Sequence, residues 1–196
     1  MKKLTALFTD SAQEFKSIRT IALCGLFAAL AFILESFSIQ VTNYIKIGFS
    51  GLPNEMVDFL FGPVVGCLFA AAMDVFKWAV HPTGPWFFGY TLNAFLAGLI
   101  YGAFLYKKPV RIWRILVAKL LVAMLINVAL GTLWSSMLYG NVFLVILPPR
   151  FIKNLVMWPI NSFVLYVLLK AFEASGVLRL LGTVRQEESR KKEGQK

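Results

Sequence analysis

Long apolar runs separated by short polar segments occupy most of this chain, and each run is long enough for a membrane-spanning helix. The runs lie at residues 20–39, 53–80, 90–106, 113–138 and 149–174. The second run is too long for one span and short for two, but Gly62-Pro63 interrupts it in the middle. We therefore expect an all-α membrane protein with six transmembrane helices, of which the second is short or tilted.

The positions of the charges predict how these helices cross the membrane. The net charge is +10, although only 15% of the residues are charged. With six spans, the basic regions 2–19, 107–114 and 170–196 share one side, which the positive-inside rule assigns to the cytoplasm. We therefore expect both termini to be cytoplasmic. Topology accounts for the positive charge, so we expect no nucleic-acid partner.

The chain divides into three expected parts. Residues 1–15 form a cytoplasmic or interfacial leader, residues 16–176 the six-helix membrane domain, and residues 177–196 a basic cytoplasmic tail. We expect the tail to be disordered because it is charged and contains no aromatic residue after Gly182. The apolar loop at residues 40–52 is expected to form a short hairpin or lid over the bundle.

Three charged residues near or inside the apolar runs carry expectations of their own. Lys119 lies in the fifth run and is expected to extend its ammonium group toward the cytoplasmic interface. Glu55 and Asp58 follow Pro53, and we expect them at a helix start that faces water. None of the three is therefore placed in the candidate site.

The last apolar run carries a polar stripe. Arg150, Lys153, Asn154, Met157 and Asn161 lie at i, i+3, i+4, i+7 and i+11, which places them on one face of a helix. Cations and amides are costly in a membrane, so this face is expected to point to the bundle interior or to a water-filled cavity. Four cations contradict the positive-inside bias: Lys46, Lys77, Arg150 and Lys153. They would pair with acids in the outer halves of the spans, or they would receive an anionic ligand from outside.

Two further helices carry polar stripes at the same expected depth. On the third span, Asp74 and Lys77 precede His81, and Asp74 would either satisfy Lys77 or contact a ligand. On the fifth span, Asn127 and Trp134 share a stripe. With the neighbouring aromatic residues, these groups predict a mostly apolar small-molecule site that contains a few polar groups. Aromatic rings suit a flat ligand, amides suit a donor–acceptor edge, and cations suit carboxylates or phosphates.

The motifs for catalysis and cofactor binding are weak or absent. Gly48-Phe49-Ser50-Gly51 matches the G-x-S-G pattern of intramembrane serine proteases, and His81 would have to activate Ser50. Pro53 interrupts the expected serine helix, however, and His81 lies outside the apolar runs. The sequence contains no Walker A motif, and its single histidine offers no Cys/His metal spacing. We therefore expect neither an enzyme nor a metal or cofactor site.

A series of short motifs covers about residues 15–174 in a fixed order: Lys46-Ile47-Gly48-Phe49-Ser50, Leu52-Pro53-Asn54-Glu55, Leu60-Phe61-Gly62-Pro63-Val64-Val65-Gly66, Pro82-Thr83-Gly84-Pro85, Gly98-Leu99-Ile100-Tyr101-Gly102, Thr132-Leu133-Trp134, Leu138-Tyr139-Gly140 and Leu147-Pro148-Pro149-Arg150-Phe151-Ile152-Lys153-Asn154. This set resembles the substrate-binding (S) components of energy-coupling-factor (ECF) vitamin transporters, and most closely their folate-specific branch.

The resemblance implies a high-affinity binding subunit in a prokaryotic plasma membrane. Such a subunit captures a vitamin from outside and docks on a coupling transmembrane subunit that works with two ATPase subunits. The whole S component then reorients among the membrane lipids to release its substrate inside. The family's small-residue docking surface on the first helix corresponds here to Ala22, Gly25, Ala28 and Ala29.

Folate also suits the site that was predicted from the residues alone. Its pterin is flat and its glutamate tail carries two negative charges, so Arg150 and Lys153 would hold carboxylates. Asp74, Asn127 or Asn154 would contact the pterin. The first rival is an S component for another vitamin, such as riboflavin or thiamine. An intramembrane hydrolase that uses Ser50 and a small passive channel are the other rivals.

Overall fold

The computed structural model describes residues 2–42, 45–80, 82, 85–140 and 143–176, and most of them are helical. The helices are α1 (Lys2–Glu14), α2 (Ile18–Ser36), α3 (Leu52–Val80), α4 (Phe88–Leu105), α5 (Ile112–Tyr139) and α6 (Phe143–Ala174). Two short strands, β1 (Ile39–Thr42) and β2 (Ile45–Ile47), pair antiparallel between α2 and α3. This is the hairpin that the apolar loop predicts.

Within these described residues, five helices, α2 to α6, are long and apolar enough to cross a membrane. Helix α3 is broken at Gly62, where φ is 87° and ψ is −174°. The break divides α3 into an arm of residues 52–61 and an arm of residues 63–80, as Gly62-Pro63 predicts. At a rise of about 1.5 Å per residue, the first arm is about 15 Å long, roughly half the thickness of a bilayer's hydrocarbon core.

A serine from α1 fills the break in α3. The Ser11 hydroxyl donates to the carbonyl of Phe61 at 2.7 Å and accepts from the backbone N–H groups of Val64 at 3.0 Å and Val65 at 3.2 Å. Pro63 has no N–H group to satisfy. A break at this point therefore leaves the Phe61 carbonyl and the Val64 and Val65 N–H groups in need of hydrogen-bond partners. Ser11 is fully buried, and its one side chain replaces the hydrogen bonds that the interrupted helix loses.

The residues around the break hold α1 close to the end of α4. A side chain at Gly62 would collide with the ring of Tyr106 and with the Ser11 hydroxyl, so the break needs glycine for space as well as for its positive φ. Lys107, which follows Tyr106, donates to the Asp10 carboxylate at 2.6 Å. The leader is therefore a helix that is packed onto the bundle at the α4–α5 connection.

The prediction that Lys119 extends to the interface is wrong. Its ammonium group is buried and lies 2.9 Å from each oxygen of the Glu55 carboxylate. Glu55 and Asp58 are only 7% and 1% exposed, so the prediction that they face water is also wrong. The reason is that the first arm of α3 lies inside the bundle and is covered on all sides. The Asp58 carboxylate packs directly against Gly66, where a side chain would collide with it.

The last helix begins earlier than the sequence indicates. Helix α6 starts at Phe143 and continues through Pro148 and Pro149, whereas a start at Pro149 was expected. Proline fixes φ near its helical value, so two prolines can continue a helix although each removes one backbone hydrogen bond. The additional turns carry Ile146, which is fully buried, into the bundle.

Candidate substrate site

The polar stripe of α6 faces the bundle, as its spacing predicts. Asn154 is buried, and Arg150, Lys153 and Asn161 are half-buried. The intervening apolar side chains are exposed on the opposite face of the helix: Phe151, Ile152, Leu155, Val156 and Ile160. Because the outer face is apolar, α6 can meet lipid on that side while its charges point inward.

The guanidinium of Arg150 is held between α6, α5 and α4. Its Nη2 donates to the Ser135 hydroxyl at 2.6 Å, and that hydroxyl lies 2.7 Å from the hydroxyl of Tyr90. Its Nη1 lies 3.5 Å from the backbone carbonyl of Asn127. Gly131 provides the space, because a Cβ atom at this position would lie 2.6 Å from Nη1. The guanidinium therefore occupies a niche that α5 forms with a glycine and a carbonyl.

A π-helical segment in α5 shapes this niche. Residues Val122–Leu130 have π-helical geometry, in which each turn contains more residues than an α-helical turn. The 3.6-residue period therefore fails across this segment, and the predicted stripe is split. The Asn127 side chain is exposed, whereas Gly131 is buried. Asn127 thus meets Arg150 through its backbone carbonyl.

An aromatic wall lies beside the Arg150 niche. The indole Nε1 of Trp134 donates to the Asn93 side-chain oxygen at 3.1 Å, and Asn93 itself is buried. The ring centroids of Trp134 and Phe87 are 5.7 Å apart. Gly89 allows this close packing, because a Cβ atom there would lie 2.6 Å from the Trp134 ring. Trp134 is thereby fixed to α4, next to the serine that binds Arg150.

Asp74 and Lys77 have different partners on the second arm of α3. Asp74 accepts a hydrogen bond from the Thr91 hydroxyl at 2.8 Å. Lys77 lies 3.4 Å from a carboxylate oxygen of Glu35 and donates to the backbone carbonyl of Ser50 at 3.3 Å. Lys77 therefore ties together the two ends of the segment that contains the hairpin. The third member of the predicted stripe, His81, lies outside the described residues.

The remaining polar residues of α6 lie closer to its C-terminal end than Arg150 does. Asn154 donates to the backbone carbonyl of Arg150 at 2.9 Å. Asn161 comes 11 residues after Arg150, which corresponds to about 16 Å along a helix. Its side-chain oxygen is buried and has no hydrogen-bond partner among the described residues. Arg150 and Asn161 therefore cannot contact the same small group of a ligand.

Most of the helical region matches one protein family. Residues 19–169 match the family described as "ECF transporter, substrate-specific component". This chain belongs to that family. As a substrate-specific component of an ECF transporter, the protein is a transport subunit and not an enzyme, as the sequence predicts.

Several known substrate-specific components are similar to this one. The folate transporter FolT of Clostridium novyi is 32% identical over 151 residues, which cover 77% of this chain and 88% of that protein. FolT of Leuconostoc mesenteroides is 31% identical over 157 residues, with 77% and 84% covered. A crystal structure of FolT bound with folic acid matches with a TM-score of 0.73 and 37% identity, over 78% of this chain and 93% of that chain. The S component of a bacterial ECF transporter, at 19% identity and a TM-score of 0.58, shares the fold.

Three polar residues of this S component were not predicted from its sequence. Tyr90 and Ser135 link α4 to α5 beside Arg150, and Asn93 binds Trp134. One signal was present, because Tyr90, Thr91 and Asn93 place three polar side chains in the first turns of α4. Ser135 offered no comparable signal, since serines are common at the interfaces between membrane helices.

Proposed function

We propose that this protein is the folate-binding component of an ECF transporter in a prokaryotic plasma membrane. The observation that carries the proposal is the Arg150 guanidinium, which is held in a fixed position beside the Trp134 wall. A fixed cation next to an aromatic surface suits a flat heterocycle with an anionic tail. The relatives named as folate transporters, and the similar FolT structure that contains folic acid, support folate as this ligand.

The proposed substrate-binding residues are Asp74, Lys77, Asn127, Trp134, Arg150, Lys153, Asn154 and Asn161. Within this set, Arg150 and Lys153 bind the carboxylates of the glutamate tail, because they are neighbouring cations on one helix face. Trp134 packs against the pterin, and Asp74, Asn127 or Asn154 contacts its polar edge. Lys77 also holds the hairpin segment in place through its ion pair with Glu35.

We propose that six spans cross the membrane, with the two arms of α3 as the second and third. The contact between Asp10 and Lys107 supports this arrangement, because it brings the leader to the same end of the bundle as the α4–α5 connection. Ser11 brings the break in α3 to that end as well. By the positive-inside rule this end is cytoplasmic, and so are the leader at 1–15 and the tail at 177–196, which flank the membrane domain at 16–176.

The first span provides the proposed docking surface for the coupling subunit, which works with two ATPase subunits. Its small residues are Ala22, Gly25, Ala28 and Ala29. Ala22, Gly25 and Ala29 are exposed, and a Cβ atom at Gly25 would meet nothing within 4 Å. A flat surface of this kind lets another helix approach closely. Docking would allow the protein to reorient among the lipids and release folate into the cell.

Gly25→Leu is expected to leave folate binding by the isolated protein intact while it blocks assembly with the coupling subunit and folate uptake. The leucine side chain would separate the two helices by several ångströms at their closest approach. Copurification with the coupling and ATPase subunits and uptake into proteoliposomes measure the effect. Ala72→Leu, which also enlarges an exposed small residue, is the control. Normal uptake by Gly25→Leu would refute the docking surface.

Folate is expected to bind the purified protein more tightly than riboflavin or thiamine do. The physical reason is that neither rival carries a pair of carboxylates for Arg150 and Lys153. Isothermal titration with the three vitamins tests the assignment directly. Tight binding of riboflavin or thiamine without binding of folate would overturn the ligand, although the membership of the ECF family would stand.

A further inference from the structure

We infer that Ser135 and Tyr90 are positioning residues that hold Arg150 ready for an anionic group, so that selectivity for the ligand's charge depends on three helices. This inference rests on the proposed function, because it concerns how Arg150 recognises the folate tail. It assigns roles to two residues that themselves need not touch the ligand.

The Ser135 hydroxyl forms hydrogen bonds in a defined direction. A guanidinium has only donors, so Ser135 must accept from Nη2 of Arg150. The Ser135 hydroxyl also forms a hydrogen bond with the hydroxyl of Tyr90, 2.7 Å away. Ser135 is fully buried, so it has no access to water. The serine therefore connects Arg150 of α6 to Tyr90 of α4 through α5.

The shape of the niche also restricts the guanidinium. Nη1 lies above Gly131, where any side chain would occupy its place. The π-helical segment directs the Asn127 carbonyl toward the same nitrogen. Two donors of the guanidinium are thus engaged on one edge, by Ser135 and by the carbonyl. These contacts fix the plane of the guanidinium.

An ordered Arg150 affects how tightly the ligand binds. A free arginine side chain has many rotamers, and a ligand that must order it loses affinity. Arg150 is ordered before the ligand arrives, so a carboxylate meets a guanidinium whose plane is already set. Loss of Ser135 should then weaken the binding of a charged tail and leave the binding of an uncharged tail nearly the same.

The test compares folate with an analogue in which both tail carboxylates are replaced by carboxamides. We expect Ser135→Ala to weaken folate binding about tenfold and binding of the diamide less than about twofold. Tyr90→Phe, which removes only the distal hydroxyl, should weaken folate binding by about threefold. Ser162→Ala is the matched control, because Ser162 is also fully buried but donates only within α6, to the Trp158 carbonyl at 2.6 Å.

An unchanged folate-to-diamide affinity ratio in both Ser135→Ala and Tyr90→Phe would overturn the inference, and so would an equal weakening of both ligands, which indicates a packing role. Adding Ser135→Ala to Arg150→Ala should weaken folate binding no further, because the serine acts through the arginine; additive effects would contradict it. If Arg150→Ala itself leaves the ratio unchanged, the proposed carboxylate contact fails, a result distinct from failure of Ser135→Ala alone.

Discussion

Lys119→Met is expected to destabilise the folded protein by about 3–5 kcal/mol. The side chains of Lys119 and Glu55 are 7% and 9% exposed, so neither charge can be solvated by water when its partner is removed. Methionine approximates the length of lysine, so the substitution removes the charge without leaving a large cavity. The expected loss therefore measures the cost of an uncompensated carboxylate inside the bundle and not the loss of packing.

Unfolding of the purified protein in detergent, followed by circular dichroism, measures the effect. Lys107→Met is the control, because Lys107 and Asp10 form a pair whose side chains are 45% and 42% exposed, and such pairs contribute at most about 1 kcal/mol. The double variant Glu55→Gln/Lys119→Met should recover part of the lost stability, because it leaves no charge behind. A single variant as stable as the wild type would mean that water reaches Glu55.

Arg150→Ala is expected to weaken folate binding by at least about 2 kcal/mol, which corresponds to about thirtyfold in Kd. The fold should persist, because Ser135 and Tyr90 remain hydrogen-bonded to each other after the guanidinium is removed. The loss comes from the ligand side, where a desolvated carboxylate would have no cation opposite it. Lys153 is one helical turn away and cannot replace the planar, bidentate geometry of arginine.

Titration of folate into the purified variant measures this loss. Lys170→Met removes the same charge from an exposed position of α6, where Lys170 pairs with Glu173, and should bind folate like the wild type. If Arg150→Ala binds folate as tightly as the wild type, Arg150 is a structural residue that joins α6 to α5. Weakening of both variants alike would instead indicate a long-range effect of net charge.

The features that the sequence predicted correctly depend on local signals. Gly62-Pro63 identified the break in α3, because the pair disrupts a helix through its own backbone. The spacing of Arg150, Lys153 and Asn154 identified the inward face of α6, because the signal lies within about one turn of one helix. The apolar hairpin was predicted for the same reason.

The features that were missed depend on partners distant in sequence or on an irregular backbone. Lys119 and Glu55 lie 64 residues apart, and a lone lysine in an apolar run is equally compatible with an interfacial position. The π-helical segment brings the Asn127 carbonyl to Arg150, and no period of 3.6 residues could indicate this. Ser135 becomes recognisable only when α4, α5 and α6 are placed side by side.

The serine in the break of α3 has a consequence for biosynthesis. Ser11 precedes Phe61 by 50 residues, so α1 leaves the ribosome well before the interrupted helix is complete. The hydroxyl that the break requires is therefore already available when Gly62 and Pro63 enter the membrane. Backbone groups without hydrogen bonds are costly in lipid. The order of translation shortens the time for which the groups at the break lack their partner.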